Sequence, residues 1–190
     1  MTVIPQPCTT AGKYCPLGSY QEQNCPEGTW NEKTSPHAEC DPCPRGFYCD
    51  GNVNKEPCLA GHYCPEGSSD KTMLGCPPGT YNENTGASSL QNCRVCPQGK
   101  YCSYKAGTNL PDCMNGYDCD SGHAMPSPAD SKCPKGYYCP IGVKTACPAG
   151  TFLNIEGGRS LDDCLPCPPG WFCETEALAE NPKDSGNEDF

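Results

Sequence analysis

Cysteine is the residue whose number and spacing could do chemistry in this chain, with 20 among 190 residues. Thiols ligate metals, cycle between dithiol and disulfide, attack electrophiles or cross-link a chain. Three Cys-x-x-Cys pairs raise the first two options: Cys40-Asp-Pro-Cys43, Cys93-Arg-Val-Cys96 and Cys164-Leu-Pro-Cys167. Zinc ribbons bring two such pairs close in sequence. Here successive pairs lie 53 and 71 residues apart, each inside a larger cysteine repeat. A thioredoxin-like role needs a βαβ setting, which the sequence lacks. Structural disulfides are therefore expected, with no metal held by thiolates and no cofactor.

Other reactive residues do not cluster. His37, His62 and His123 are isolated, and no Ser, His and Asp grouping suggests a catalytic site. No enzyme is expected. His62 fills an aromatic slot of one cysteine loop. The carboxylates offer no Asp-x-Asp-x-Asp-Gly loop for Ca²⁺. Their best cluster is Asp112, Asp118 and Asp120, for which a solvated face is expected. The net charge is −10, and the 13 Lys and Arg are scattered singly. That pattern argues against nucleic acid as a partner and suits a soluble exposed surface.

The cysteines fall into ten loops. Three long ones open with Cys-Pro-x-Gly-Thr-aromatic: Cys25 to Cys40, Cys76 to Cys93 and Cys147 to Cys164. The second and third share Gly-x-x-Ser-Leu-x-x-Cys (Gly86 and Gly157, then Ser89-Leu90 and Ser160-Leu161). Seven short loops follow Cys-x-x-Gly-aromatic-aromatic-Cys or a close variant: Cys8–Cys15, Cys43–Cys49, Cys58–Cys64, Cys96–Cys102, Cys113–Cys119, Cys133–Cys139 and Cys167–Cys173. Pro and Gly in Cys-Pro-x-Gly suit a type I turn, and Thr-aromatic suits a short strand. The long loops are expected to close on themselves. For the short loops two schemes stand. Sequential pairing follows from their constant inner spacing and is preferred. An interleaved scheme joins Cys43 with Cys58 and Cys49 with Cys64, and treats Cys96, Cys102, Cys113 and Cys119 likewise.

Leu, Ile, Val and Phe together number only 20. So few large aliphatics cannot offset the entropy of ordering the chain, and cross-links must stand in for a core. Gly and Pro number 21 and 22, and only Glu174–Glu180 has helix-forming composition. The expected fold is small disulfide-rich: irregular, with short β-hairpins and turns, almost no helix, and tandem repeats forming an elongated rod. The divisions expected are a partial N-terminal unit (1–23), a repeat (24–75), a repeat with an extra short loop (76–146), a C-terminal unit (147–173) and an acidic tail (174–190). Cysteine usage places the chain outside the reducing cytosol, extracellular or at a cell surface. The start lacks the basic and apolar regions of a signal peptide, so the chain reads as a segment of a longer or processed protein. No apolar run is long enough for a membrane span, and no Asn-x-Ser/Thr sequon is present. O-glycosylation around Ser121–Ser131 stays open.

The string Cys76-Pro-Pro-Gly-Thr-Tyr-Asn…Cys93-Arg-Val-Cys96-Pro-Gln-Gly-Lys-Tyr-Cys102 resembles the ephrin-receptor-like cysteine-rich repeat. More distantly, it is similar to tumour-necrosis-factor-receptor and furin-like cysteine-rich modules. The resemblance runs from Cys8 to Cys173. It implies a disulfide-built extracellular module, found in receptor ectodomains and in protist surface and secreted proteins, and it brings no catalytic residues. The extra loop Cys133–Cys139 departs from the compact version. Two functions follow as expectations. One is an extracellular structural protein whose modules make a stiff strand of a filament, appendage or surface coat. The other is a ligand-binding segment of a receptor or adhesion ectodomain. Partners are expected to be further copies, end to end, or other extracellular proteins. Most module aromatics are expected to pack on their own disulfides. Trp171, Phe172 and Phe190 are the candidate contacts, with the tail as adaptor.

Overall fold

The computed structural model describes residues 5–32, 37–51 and 53–182. Its regular structure is minimal. Fourteen strands of two or three residues pair into seven antiparallel hairpins: β1 (Lys13–Tyr14) with β2 (Gln23–Asn24), β3 (Thr29–Trp30) with β4 (Asp41–Pro42), β5 (Phe47–Cys49) with β6 (Lys55–Pro57), β7 (His62–Tyr63) with β8 (Leu74–Gly75), β9 (Thr80–Tyr81) with β10 (Arg94–Val95), β11 (Tyr137–Tyr138) with β12 (Thr145–Ala146), and β13 (Thr151–Phe152) with β14 (Leu165–Pro166). Single antiparallel bridges, Lys100 to Asp112 and Tyr117 to Lys132, fill the two equivalent places between β10 and β11. In every case the residues after a module glycine pair with those just before the next loop's first cysteine. Each first strand thus carries at least one aromatic residue, where a flat ring fits a half-buried pleat.

Among the described residues, helix is confined to three single 3₁₀ turns, Leu90–Asn92, Pro140–Gly142 and Leu161–Asp163. The first and third lie at the ends of the longest loops and explain the shared Ser-Leu-x-x-Cys run. The Asn92 side-chain oxygen accepts from the Ser88 and Ser89 N–H groups, both at 3.1 Å. An Asp163 carboxylate oxygen accepts from the Arg159 and Ser160 N–H groups at 2.6 and 3.1 Å. Each side chain closes its turn from the third position. Glu174–Glu180, expected to favour helix, holds only a turn. Ala177 there takes φ 56°, and its N–H donates to the Cys147 carbonyl, so a contact distant in sequence overrides local propensity.

The chain falls into two compact units. One holds the described residues to Pro77, with Tyr81–Arg94 and Lys105–Thr108; the other holds Pro78–Thr80, Val95–Tyr104 and the described residues from Asn109. Within each unit one backbone pattern recurs, and its repeat is a single loop, long or short alike. In the first unit the N–H groups of Gly12, Gly28, Gly46 and Gly61 donate to the carbonyls of Asn31, Cys49, Cys64 and Asn82 at 2.7–2.8 Å. In return Cys25, Cys43, Cys58 and Cys76 donate to the carbonyls of those four glycines at 2.8–3.0 Å. In the second unit Gly79, Gly99, Gly116, Gly136 and Gly150 donate to Cys102, Cys119, Cys139, Leu153 and Cys173, and Cys96, Cys113, Cys133, Cys147 and Cys167 donate back.

After six of the loops a tail turn adds two more bonds to the preceding loop among the described residues. The Gly67 N–H donates to the Cys43 carbonyl, while the Cys49 N–H donates to Ser68; Gly122 with Cys96, and Cys102 with His123, repeat the pair in the second unit. The tail needs a left-handed residue. Glycine supplies it at Gly67, Gly86, Gly122 and Gly157, but Lys105, Ile141 and Ala177 take it at φ 65°, 46° and 56°. The Ile141 N–H departs from the pattern and donates to the Asn115 side chain at 2.9 Å.

Cystine is the core. Twelve side chains are the largest below 2% exposure, and ten of them are cysteines; the others are Leu153 and Asn31. Asn31, Asn82 and Leu153 occupy, in the long loops, the place where a short loop has its second cysteine. Asn82 satisfies its buried amide with the His62 and Asn84 carbonyls at 3.3 and 2.9 Å. Leu153 packs with Cys147, Cys164 and the half-buried Tyr138.

Candidate functional site

Nine disulfides join successive cysteines: Cys8–Cys15, Cys25–Cys40, Cys43–Cys49, Cys58–Cys64, Cys76–Cys93, Cys96–Cys102, Cys113–Cys119, Cys133–Cys139 and Cys147–Cys164. Their Cα–Cα separations, for example 5.6 Å at Cys43–Cys49 and 6.5 Å at Cys113–Cys119, suit unforced bridging. The interleaved scheme is absent among them. Cys167 and Cys173 correct the expectation of a tenth closed loop, for both are free thiols. Burial and a hydrogen bond with the Cys167 thiol push Cys173 up to about 11. At that value the thiolate, the reactive form, is scarce at neutral pH. The physical difference lies in the backbone. Each preceding module glycine is clamped by two bonds to the next module, whereas Gly170 makes neither among the described residues.

The remaining candidate residues are dispersed. Asp112 pairs with Lys100, and Asp118 with Lys144 at 3.1 Å, so lysines neutralise two of the three clustered carboxylates. The Asp118 partner holds the Lys144 ammonium above its ordinary range. Lys55 sits over the Trp30 ring, 3.8 Å from its centre. His62 is buried, with Nδ1 3.1 Å from the Ala60 carbonyl and Nε2 unpartnered. Among the described residues no three His, Cys, Asp or Glu side chains converge as metal ligands. An open 280 Å³ recess includes Met114, Asn115, Tyr117, Lys132, Glu156 and Arg159, with no Ser, Cys or His in its lining. No described helix is long and apolar enough to cross a membrane.

What the geometry does offer is contact surface at the two terminal modules. Trp30, Phe47, Tyr48, Tyr81, Tyr101, Tyr137 and Tyr138 are half-buried, and Phe152 is buried. Trp171 and Phe172 in the last module are 42% and 81% exposed. In the first module Leu17 and Tyr20 stand fully in solvent. The candidate Phe190 lies outside the described residues. Residues 174–182 of the acidic tail continue the repeat, with the Leu178 carbonyl accepting from the Leu153 N–H at 3.0 Å.

Single-loop modules stapled by local disulfides and joined by main-chain bonds define a cysteine-rich repeat. The chain is similar to cysteine repeat modular protein B of Toxoplasma gondii, 24% identical over 204 residues that take in 68% of this chain and 3% of that protein. It is also similar to the mouse sushi, von Willebrand factor type A, EGF and pentraxin domain-containing protein 1, 29% identical across 79% of this chain and 4% of the relative. A putative white-brown complex homolog of Arabidopsis thaliana shares 30% identity over 67% of this chain and 10% of its own length. The chain thus spans a tenth or less of these relatives. No family model matches it.

Proposed function

We propose that the chain is a secreted or cell-surface structural module that forms a stiff strand within a filament, appendage or surface coat. The observation that carries this reading is the main-chain pattern repeated at each step. Side chains vary freely in such a pattern while every junction is held by the same atoms, which suits a load-bearing repeat rather than a sculpted site. Dispersed histidines and lysine-paired carboxylates support a role without catalysis. The resemblance to ephrin-receptor-like repeats belongs to the same proposal, as does an oxidising location. Small-angle scattering of the dilute, oxidised chain tests it. A rod-like cross-section and a maximum dimension several times the width are expected. A compact globule, or the profile of a flexible coil, overturns the strand.

A second reading, a ligand-binding segment of a receptor or adhesion ectodomain, is favoured by the exposed Trp171-Phe172 pair, because aromatics dominate contact energy. Loss of partner capture on Phe172→Ala, with scattering unchanged, would move the balance to this reading.

A further inference from the structure

We propose that the first module of one copy docks on the tenth module of another through the four main-chain bonds that join neighbouring modules within the chain. The inference rests on the structural reading above and names the atoms of the junction. Inside the chain the module glycine donates to and accepts from the next module at every junction. At the junctions that use the tails of Gly67, Gly86, Lys105, Gly122, Gly157 and Ala177, the residue three places after the module glycine also donates to the next tail, and that left-handed tail residue donates back to the first cysteine.

The tenth module presents one half of this set unused. Among the described residues, the Gly170 N–H and carbonyl, the Cys173 N–H and the Cys167 carbonyl make no main-chain bond. The first module presents the other half. Its Cys8 N–H, Cys15 carbonyl, Gly18 N–H and Ser19 carbonyl are likewise without main-chain partners among the described residues. Cys8 would donate to Gly170, Gly170 to Cys15, Cys173 to Ser19, and Gly18 to Cys167.

The first module's tail is already shaped for this. Cys15-Pro-Leu-Gly-Ser19 matches Cys64-Pro-Glu-Gly-Ser68. Gly18 has φ 84° and Gly67 φ 80°. The Ser19 and Ser68 hydroxyls each donate to the proline carbonyl three residues back at 2.7 Å. Yet Ser68, whose junction is filled, is 1% exposed, whereas Ser19 lies at the edge of an open 580 Å³ recess. Within the chain that turn serves to engage a preceding module.

Sterics identify the missing neighbour independently. A Cβ on Gly61, Gly79 or Gly136 would fall 2.2–2.4 Å from a tail carbonyl two modules further on. At Gly150 the same position meets nothing within 4 Å. The Gly18 carbonyl of a docked second copy would occupy it. Phe172 shows the same vacancy: it is 81% exposed, while its counterpart Phe152 is 5% exposed.

Sedimentation velocity of the oxidised chain over a concentration series tests the proposal. The mass is expected to grow with concentration. Gly150→Ala should weaken association about tenfold or more, by placing a methyl against the incoming carbonyl. Gly18→Ala carries the same left-handed strain but adds its methyl where a filled tail such as Gly67 has open space, so it should associate as the parent does. Phe172→Ser, at an exposed position the fold does not use, should also weaken association and serves if Gly150→Ala misfolds. A single-chain mass at all concentrations, or Gly150→Ala and Phe172→Ser both associating like the parent, overturns the junction. Neither result alters the scattering of the dilute chain, which tests the strand itself.

Discussion

At the residue scale, glycine and cysteine share the work that aliphatic side chains do in ordinary domains. Gly61 has φ 79°, and a Cβ there would stand 2.4 Å from the Lys105 carbonyl oxygen. Gly67 has φ 80° and open space where its Cβ would go. The pair separates backbone strain from crowding. Both alanine variants carry the left-handed penalty of roughly 1–2 kcal/mol. Gly61→Ala should lose about 1–3 kcal/mol more, because backbone rather than a flexible side chain must yield. Thermal unfolding of the two oxidised variants checks this, with equal midpoints as the contrary result. The motif Cys-x-x-Gly was visible in the sequence, but the reason for its glycine was not. The clashing carbonyl comes from Lys105, some forty residues away in the chain.

At the element scale, the longest loops end in 3₁₀ turns closed by different chemistry. Asp163 closes one and Asn92 the other. Hydrogen bonds from the Arg159 and Ser160 N–H groups hold the Asp163 carboxyl below its ordinary value of 3.8. A depressed carboxylate contributes stability above that value and loses it as pH falls through the folded pKa. Acidification below about 3.8 should therefore loosen the turn at Leu161–Asp163. The amide of Asn92 does not titrate, so Leu90–Asn92 should hold. Amide exchange at Arg159 and Ser160 should accelerate on acidification relative to Ser88 and Ser89, after correction for intrinsic rates. Equal protection in both turns at every pH would contradict the assignment.

At the whole-molecule scale, disulfides replace a core. Each loop restricts the unfolded chain by roughly 2–4 kcal/mol, and nine together offset an aliphatic content that is otherwise too low. Full reduction should abolish the fold, seen as loss of a cooperative thermal transition by circular dichroism. Before reduction, alkylation should add label only at Cys167 and Cys173. Cys173 should react far more slowly at neutral pH and speed up toward its pKa of about 11. A labelled Cys43 or Cys58, or two unlabelled terminal cysteines, would show a different pairing by mass spectrometry.

The sequence by itself determined the chemistry and the local structure. Twenty cysteines in ten loops, with so few aliphatics, require cross-links. Cys-Pro-x-Gly followed by Thr-aromatic requires a turn and then a strand, because Pro and Gly restrict dihedrals within a few residues. Tertiary structure decided what joins one loop to the next. Long and short loops became equivalent because backbone N–H and carbonyl groups carry every junction, and those groups look alike in any sequence. Asn31 and Asn82 became buried partners of carbonyls far along the chain, although asparagine ordinarily signals a surface turn. Ala177 turned left-handed for the same reason, its N–H held by the Cys147 carbonyl. Which neighbour clamps a module, and whether any does, is settled by contact in space rather than by local preference.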